Sequence, residues 1–195
     1  MHHTRFKQTV LFILGLFTYG LAFASDLSDK LQSPDHVLLM RHALAPGVGD
    51  PINYTLTDCQ TQRNLSAEGR QQAVLVGDWL RHQDVKHADV YSSVWCRCKD
   101  TAQLLGFSPW QIEPSLASFF DDMQKAKRQN LNLQNFIAQK LKTKGTQALI
   151  LVTHHVNIFE FVGENVNSGD LVLAKVDTKG KMLSYRVIPR PTEVR

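Results

Sequence analysis

Two short apolar runs, each ending on basic or imidazole side chains, constrain this chain more than any other feature. His36-Val37-Leu38-Leu39-Met40 stops directly at Arg41-His42, and Ala148-Leu149-Ile150-Leu151-Val152 stops at Thr153-His154-His155. Runs of this length without polar alternation read as strands buried on both faces, as in a parallel sheet. A third, shorter run, Ala88-Asp89-Val90-Tyr91, leads through Ser92-Ser93 to Arg97. In an open parallel sheet, ligands bind beyond the carboxyl ends of the strands. Arg41, His42, Arg97 and His154 are therefore expected around one pocket. Two arginines and two histidines facing one another repel unless an anion sits between them, and guanidinium forks match phosphate oxygens.

Helical patterns alternate with these strands. Ser66 reads as an N-cap with Glu68 in the first turn, and Ala73, Val76 and Leu80 mark one face of a helix ending near His82. A second helix runs through Thr101, Ala102, Leu104 and Leu105 to Gly106, and a third through Leu133, Phe136, Ile137 and Leu141 to Gly145. Near the end, two apolar segments flank Asp177-Thr178-Lys179-Gly180, a hairpin signal. The expected fold is α/β, three-layer, with a mostly parallel central sheet flanked by helices and a C-terminal β-hairpin. Residues 25–195 are expected to form a single domain, since no repeat or linker divides them. Residues 25–35 are polar, hold Pro34 and read as a lead-in. Residues 43–65 have no periodicity, and a structureless stretch of that length is often functional.

The first 24 residues read as a signal peptide. His2, His3, Arg5 and Lys7 form a basic n-region, residues 10–23 are almost unbroken apolar, and Ala22-Phe23-Ala24 gives a small-x-small cleavage pattern with Ser25 as the mature start. The apolar run is shorter than the roughly 20 residues of a membrane span and is broken by Gly20. The expected location is periplasmic or secreted, with no span left after cleavage. Net charge is +4, from 22 basic and 18 acidic residues. Loss of Arg5 and Lys7 leaves 20 minus 18, or +2, and the basic residues form no run. Nucleic acid is therefore not an expected partner. At 43% hydrophobic residues the chain can build a core.

At Leu39-Met40-Arg41-His42-Ala43 the chain resembles the histidine phosphatase superfamily, also called phosphoglycerate mutase-like, whose first strand ends in Arg-His-Gly. Leu65-Ser66-Ala67-Glu68-Gly69-Arg70-Gln71-Gln72-Ala73 is similar to its Leu-(Ser/Thr)-x-x-Gly-x-x-Gln-Ala segment. Ser92-Ser93-Val94-Trp95-Cys96-Arg97-Cys98-Lys99-Asp100-Thr101-Ala102 resembles its Ser-Ser-x-x-x-Arg-x-x-x-Thr-Ala segment, and Leu151-Val152-Thr153-His154 its last strand and second histidine. The four occur in family order. Ala43 and His155 stand where glycines are usual, and Ser118 stands where many members carry an acidic proton donor.

The resemblance implies a short, exported phosphatase. His42 would be the nucleophile, forming a phosphohistidine, with Arg41, Arg97 and His154 around the phosphate. Asp122, or its neighbour Asp121, would protonate the leaving oxygen. Arg63 and His155 would touch substrate. No cofactor and no metal is implied, because arginines supply the positive charge, and the partner is a small phosphorylated molecule. A lipopolysaccharide-core sugar phosphate is one candidate among exported short members. A non-catalytic anion-binding protein of the same fold is the alternative. A serine esterase lacks any Gly-x-Ser-x-Gly elbow. Of three cysteines, Cys59 is expected to bond Cys96 or Cys98 in an oxidising compartment. Cys96 is preferred, because it precedes Arg97 and so lies closer to the strand end where the long loop should pass. A zinc site would need a stronger ligand spacing than this.

Overall fold

The computed structural model describes residues 21–193, with side chains from residue 26 on. The expected signal segment lies outside these residues except for the backbone of 21–24, which begins a helix. The elements run α1 Leu21–Gln32, β1 His36–Arg41, α2 Ala67–His82, β2 Ala88–Ser92, α3 Cys96–Leu104, β3 Trp110–Ile112, α4 Ala126–Leu141, β4 Ala148–Thr153, α5 His155–Val162, β5 Leu171–Val176 and β6 Met182–Ile188. One six-stranded sheet has the order β3-β2-β4-β1-β5-β6. The pairings among β3, β2, β4 and β1 are parallel, and β5 pairs antiparallel with β1 and β6. This is the α/β architecture expected, hairpin included.

Strand alternation divides the core into two layers. Leu38 and Met40 of β1 join Ile150 and Val152 of β4 under α1, α2 and α3, against Leu27, Leu31, Val76, Leu80 and Ala102. Val37 and Leu39 face the other way, with Leu149 and Leu151, against Leu133 and Ile137 of α4 and Ile158 and Phe161 of α5. All six residues of β4 are buried, which fits its central place between two parallel neighbours.

Two expectations need correction. Residues 26–32 are no lead-in. They continue α1, and Leu27 and Leu31, four residues apart, are buried at 2% and 1% exposure. Seven residues with two apolar positions gave too short a period to read as a packed helix. Strand β3 was also unforeseen. It is a three-residue edge strand paired with β2 from Val90↔Trp110 to Ser92↔Ile112, with one half-buried and two exposed residues.

The start of α2 shows why its sequence is built as it is. Ser66 caps it by accepting from the Gly69 backbone N–H (3.1 Å). Gly69 lies so close to the incoming chain that a Cβ there would stand 2.0 Å from the Leu44 carbonyl oxygen. Gln72 Oε1 accepts from the Leu44 N–H (2.9 Å). Ala73 packs with Ala43, Ala45 and Leu65. Ser66, Gly69, Gln72 and Ala73 together seat the segment that leaves β1.

Candidate active site

The carboxyl ends of β1, β4 and β2 deliver the site. The His42 N–H donates to the Thr153 carbonyl (2.9 Å) and the Ser93 N–H to the Val152 carbonyl (3.0 Å), so the three strand ends are tied edge to edge. A cavity of about 260 Å³ opens there, lined by Arg41, His42, Arg63, Arg97, His154 and His155, with Gly47, Val48, Gly49, Ser118 and Phe120 completing the wall. The sequence expectation of convergence thus meets its geometry. Arg41, His42, Arg97 and His154 share one pocket, joined by Arg63 and His155.

His42 is 1% exposed. Its Nδ1 lies 2.8 Å from the Ala43 carbonyl oxygen, which can only accept, so Nδ1 carries the hydrogen and Nε2 the free lone pair. Burial holds its pKa well below the ordinary value, and Arg97, Arg63 and Arg41 push the same way. The result is a neutral imidazole with a nucleophilic nitrogen. The His154 ring lies 5.4 Å from that of His42, edge to face. Arg97 Nη2 donates to His154 Nδ1 (3.4 Å), which leaves the Nε2 hydrogen to donate to Ser93 Oγ (2.8 Å). Burial, then His42, then Arg97 keep His154 neutral too. His155, half-buried beside Phe120, is likewise shifted down, by burial first and then by the three arginines.

The guanidinium groups are partly held and partly open. Arg41 Nη1 donates to the Val166 carbonyl (2.7 Å). Arg63 Nε donates to the Gly49 carbonyl (2.7 Å), and its Nη1 to that of Ala45. Arg97, in the first turn of α3, is 4% exposed. The Nε atoms of Arg41 and Arg97 are buried without any hydrogen-bond partner. Buried donors are rarely left unpaired, and two of them on guanidinium groups lining one cavity suit an anion with several acceptor oxygens.

Asp122, expected as the proton donor, does not line the pocket. It is exposed and paired with Lys125 at 3.0 Å, and that contact lowers its pKa, which works against carrying a proton. Asp121 accepts instead from the Tyr54 hydroxyl (3.0 Å). Ser118 occupies the wall position, placed by Asn157 Nδ2 and Thr153 Oγ1, which donate to the carbonyls of Ala117 and Leu116 (2.9 and 2.8 Å). Cys59 and Cys96 are bonded, with Cα atoms 5.7 Å apart, so the 43–65 loop is fastened at the start of α3. Cys98 is buried and free, its thiol pushed up to about 12 chiefly by burial. Among the described residues, no cluster of three or more His, Cys, Asp or Glu side chains could hold a metal ion, and no helix is long and apolar enough to cross a membrane.

Sequence reasoning missed Asp50. Its side chain is 3% exposed and ion-paired with Arg97 Nη1 at 2.9 Å. In sequence it sits in Gly47-Val48-Gly49-Asp50-Pro51, which reads only as turn chemistry. Trp95 and Phe120 were missed for the same reason, as single aromatics outside any periodic segment.

A family model described as the histidine phosphatase superfamily (branch 1) matches residues 37–147, more than half of the chain. No match is found among curated protein sequences. Several solved structures share the fold. The protein histidine phosphatase SixA complexed with tungstate superposes with a TM-score of 0.54 at 19% identity, covering 80% of this chain and 97% of that one. The alpha-ribazole phosphatase of Shigella flexneri gives 0.54 at 18%, covering 82% and 98%. A mycobacterial glucosyl-3-phosphoglycerate phosphatase complexed with VO3 gives 0.56 at 14%, covering 78% and 97%.

Proposed function

The chain belongs to the histidine phosphatase superfamily, and from that premise we propose that it is a phosphatase that hydrolyses a phosphomonoester through a phosphohistidine on His42. The observation that carries this reading is the neutral, buried His42 with its Nε2 lone pair free, set among arginines that retain unpaired N–H donors. The substrate phosphate lies among Arg41, Arg97 and His154. Nε2 attacks phosphorus, the bond to the leaving oxygen breaks, and the guanidinium groups stabilise the charge on the equatorial oxygens. Water then attacks the phosphohistidine, the P–N bond breaks, and inorganic phosphate leaves. No carboxyl lines the pocket, and burial together with the three arginines holds the His155 pKa down, so the proton for the leaving oxygen comes from water. The protein works in the periplasm or outside the cell, and a cell-envelope sugar phosphate is the first substrate class to assay. Solved structures named as phosphatases share the fold, and two of them are complexes with tungstate and VO3, which supports a phosphate-handling site.

The test is transfer of label from a radiolabelled phosphomonoester. An acid-labile, alkali-stable phosphoprotein is expected in wild type and absent in His42→Ala of native melting profile, with phosphate release unaffected by a chelator. A labelled His42→Ala protein, or turnover within tenfold of wild type, would overturn the assignment. Phosphate binding without label or turnover would instead favour the anion-binding alternative.

A further inference from the structure

The pocket lining contains no carboxylate, yet one stands in contact with its arginines. Asp50 comes from the loop between β1 and α2 and is closed off from solvent. Its two oxygens accept four hydrogen bonds. Oδ1 takes the Arg63 backbone N–H (2.9 Å) and Arg97 Nη1 (2.9 Å), and Oδ2 takes Trp95 Nε1 (3.1 Å) and Arg97 Nη1 (3.1 Å). Among the described residues, Asp50 is the one carboxylate in ion-pair contact with Arg41, Arg63 or Arg97. Asp170 acts on Arg41 only at longer range.

This arrangement divides the Arg97 guanidinium. Nη1 is occupied by Asp50, and Nη2 by His154 Nδ1 on one side. Among the described residues Nε has no partner and is the donor left for substrate. Asp50 also offsets one of three positive charges gathered around a cavity of about 260 Å³. A carboxylate that close weakens the attraction between Arg97 and any anion in the pocket. A phosphatase of this kind must hydrolyse the phosphohistidine and then release inorganic phosphate, itself an anion, so excess positive charge around the pocket would slow the last step of turnover.

Resting on the phosphatase reading, we propose that Asp50 is a positioning residue that aims Arg97 and, by balancing its charge, sets how tightly the site holds phosphate. A purely structural anchor and a charge-balancing residue predict opposite signs for one substitution. In Asp50→Asn the shape and one accepting oxygen remain while the charge goes. The charge role predicts tighter binding of inorganic phosphate, by about tenfold or about 1.4 kcal/mol, together with a fall in both kcat and KM for p-nitrophenyl phosphate. An anchor predicts weaker phosphate binding and a higher KM.

The experiment is isothermal titration of inorganic phosphate into disulfide-intact wild type, Asp50→Asn and Asp50→Ala, with thermal melts alongside. Asp50→Asn is expected to bind phosphate more tightly, and Asp50→Ala to lose turnover further because Arg97 is no longer held. Equal or weaker binding by Asp50→Asn with a native melt overturns the proposal. If Asp50→Asn melts early, Trp95→Phe/Asp50→Asn, which removes the unmatched indole donor, is titrated in its place under the same criterion. Wild type and variants that all fail to bind phosphate would sink the phosphatase reading and this proposal together, whereas binding without the affinity change sinks this proposal alone.

Discussion

His42 and His154 are buried to 1% and 2% exposure, and both have pKa values held well below the ordinary histidine value, chiefly by burial. That has a consequence for stability against pH. Above about pH 6.5 both rings are neutral in the folded and unfolded chain alike, so they contribute no pH dependence. As the pH falls below about 6.5, the unfolded chain takes up protons that the folded chain refuses, and stability declines. The decline is at most about 1.4 kcal/mol per pH unit for each ring. The urea midpoint is therefore expected to drop between about pH 6.5 and 5, and His42→Asn to lose about a third to a half of that slope, since His155 is shifted the same way. A midpoint flat over this window would overturn the protonation assignment. The same neutrality keeps the nucleophile available in mild acid, so the rising limb of kcat/KM is expected below the ordinary histidine value. The two rings were legible in sequence because each ends an apolar run. Asp50 was not, because one Asp among Gly and Pro looks the same whether it faces solvent or an arginine 47 residues away.

The loop over residues 43–65 is the element on which site and fold depend together. It supplies Asp50 and Arg63 and leaves β1 over the Gly69 turn of α2. Gln62, 5% exposed, accepts from the Cys96 N–H (2.9 Å) and donates to the Thr55 carbonyl (2.9 Å). Its one covalent tie is the Cys59–Cys96 bond, which spans 37 residues and ends beside Arg97. Chain-entropy reasoning assigns such a closure about 3–4 kcal/mol. Reduction, or Cys59→Ser/Cys96→Ser, is expected to lower the melting temperature by roughly 6–16 °C and to cut kcat more than tenfold, because Asp50 and Arg63 lose their fixed path. Full activity in the reduced protein would show that noncovalent contacts alone hold the loop. The sequence narrowed this bond to Cys59 with Cys96 or Cys98, both near the start of the Arg97 helix, and the structure closes it on Cys96. The loop's internal course was unreadable. It is held by side-chain to backbone contacts such as Thr61 Oγ1 to the Asp58 carbonyl (2.8 Å), which leave no period in sequence.

At the scale of the whole molecule, α1 ties the fold to the question of export. Cleavage before Ser25 would leave residues 26–32 in place, and these seven complete the helical layer that α2 and α3 form on one face of the sheet. Leu27 and Leu31 enter the core beside Leu80 and Val85. Ser28 Oγ donates to the Asp84 carbonyl (3.1 Å), and the buried Lys144 Nζ donates to the Leu31 and Gln147 carbonyls (2.7 and 2.9 Å). Lys144 so caps the end of α1, and without α1 it would lose a partner. Full burial of two leucines contributes about 3–6 kcal/mol, against a total of about 5–15 kcal/mol for a domain of this kind. A chain beginning at Ser25 is expected to fold with an unchanged melting temperature relative to the uncleaved protein. A chain beginning at Ser33 is expected to be destabilised by several kcal/mol, and Leu27→Ala/Leu31→Ala to fall between. Thermal melts of the three decide it. A chain from Ser33 as stable as that from Ser25 would mean that α1 is dispensable, and that the processed terminus could lie well inside it without cost to the fold.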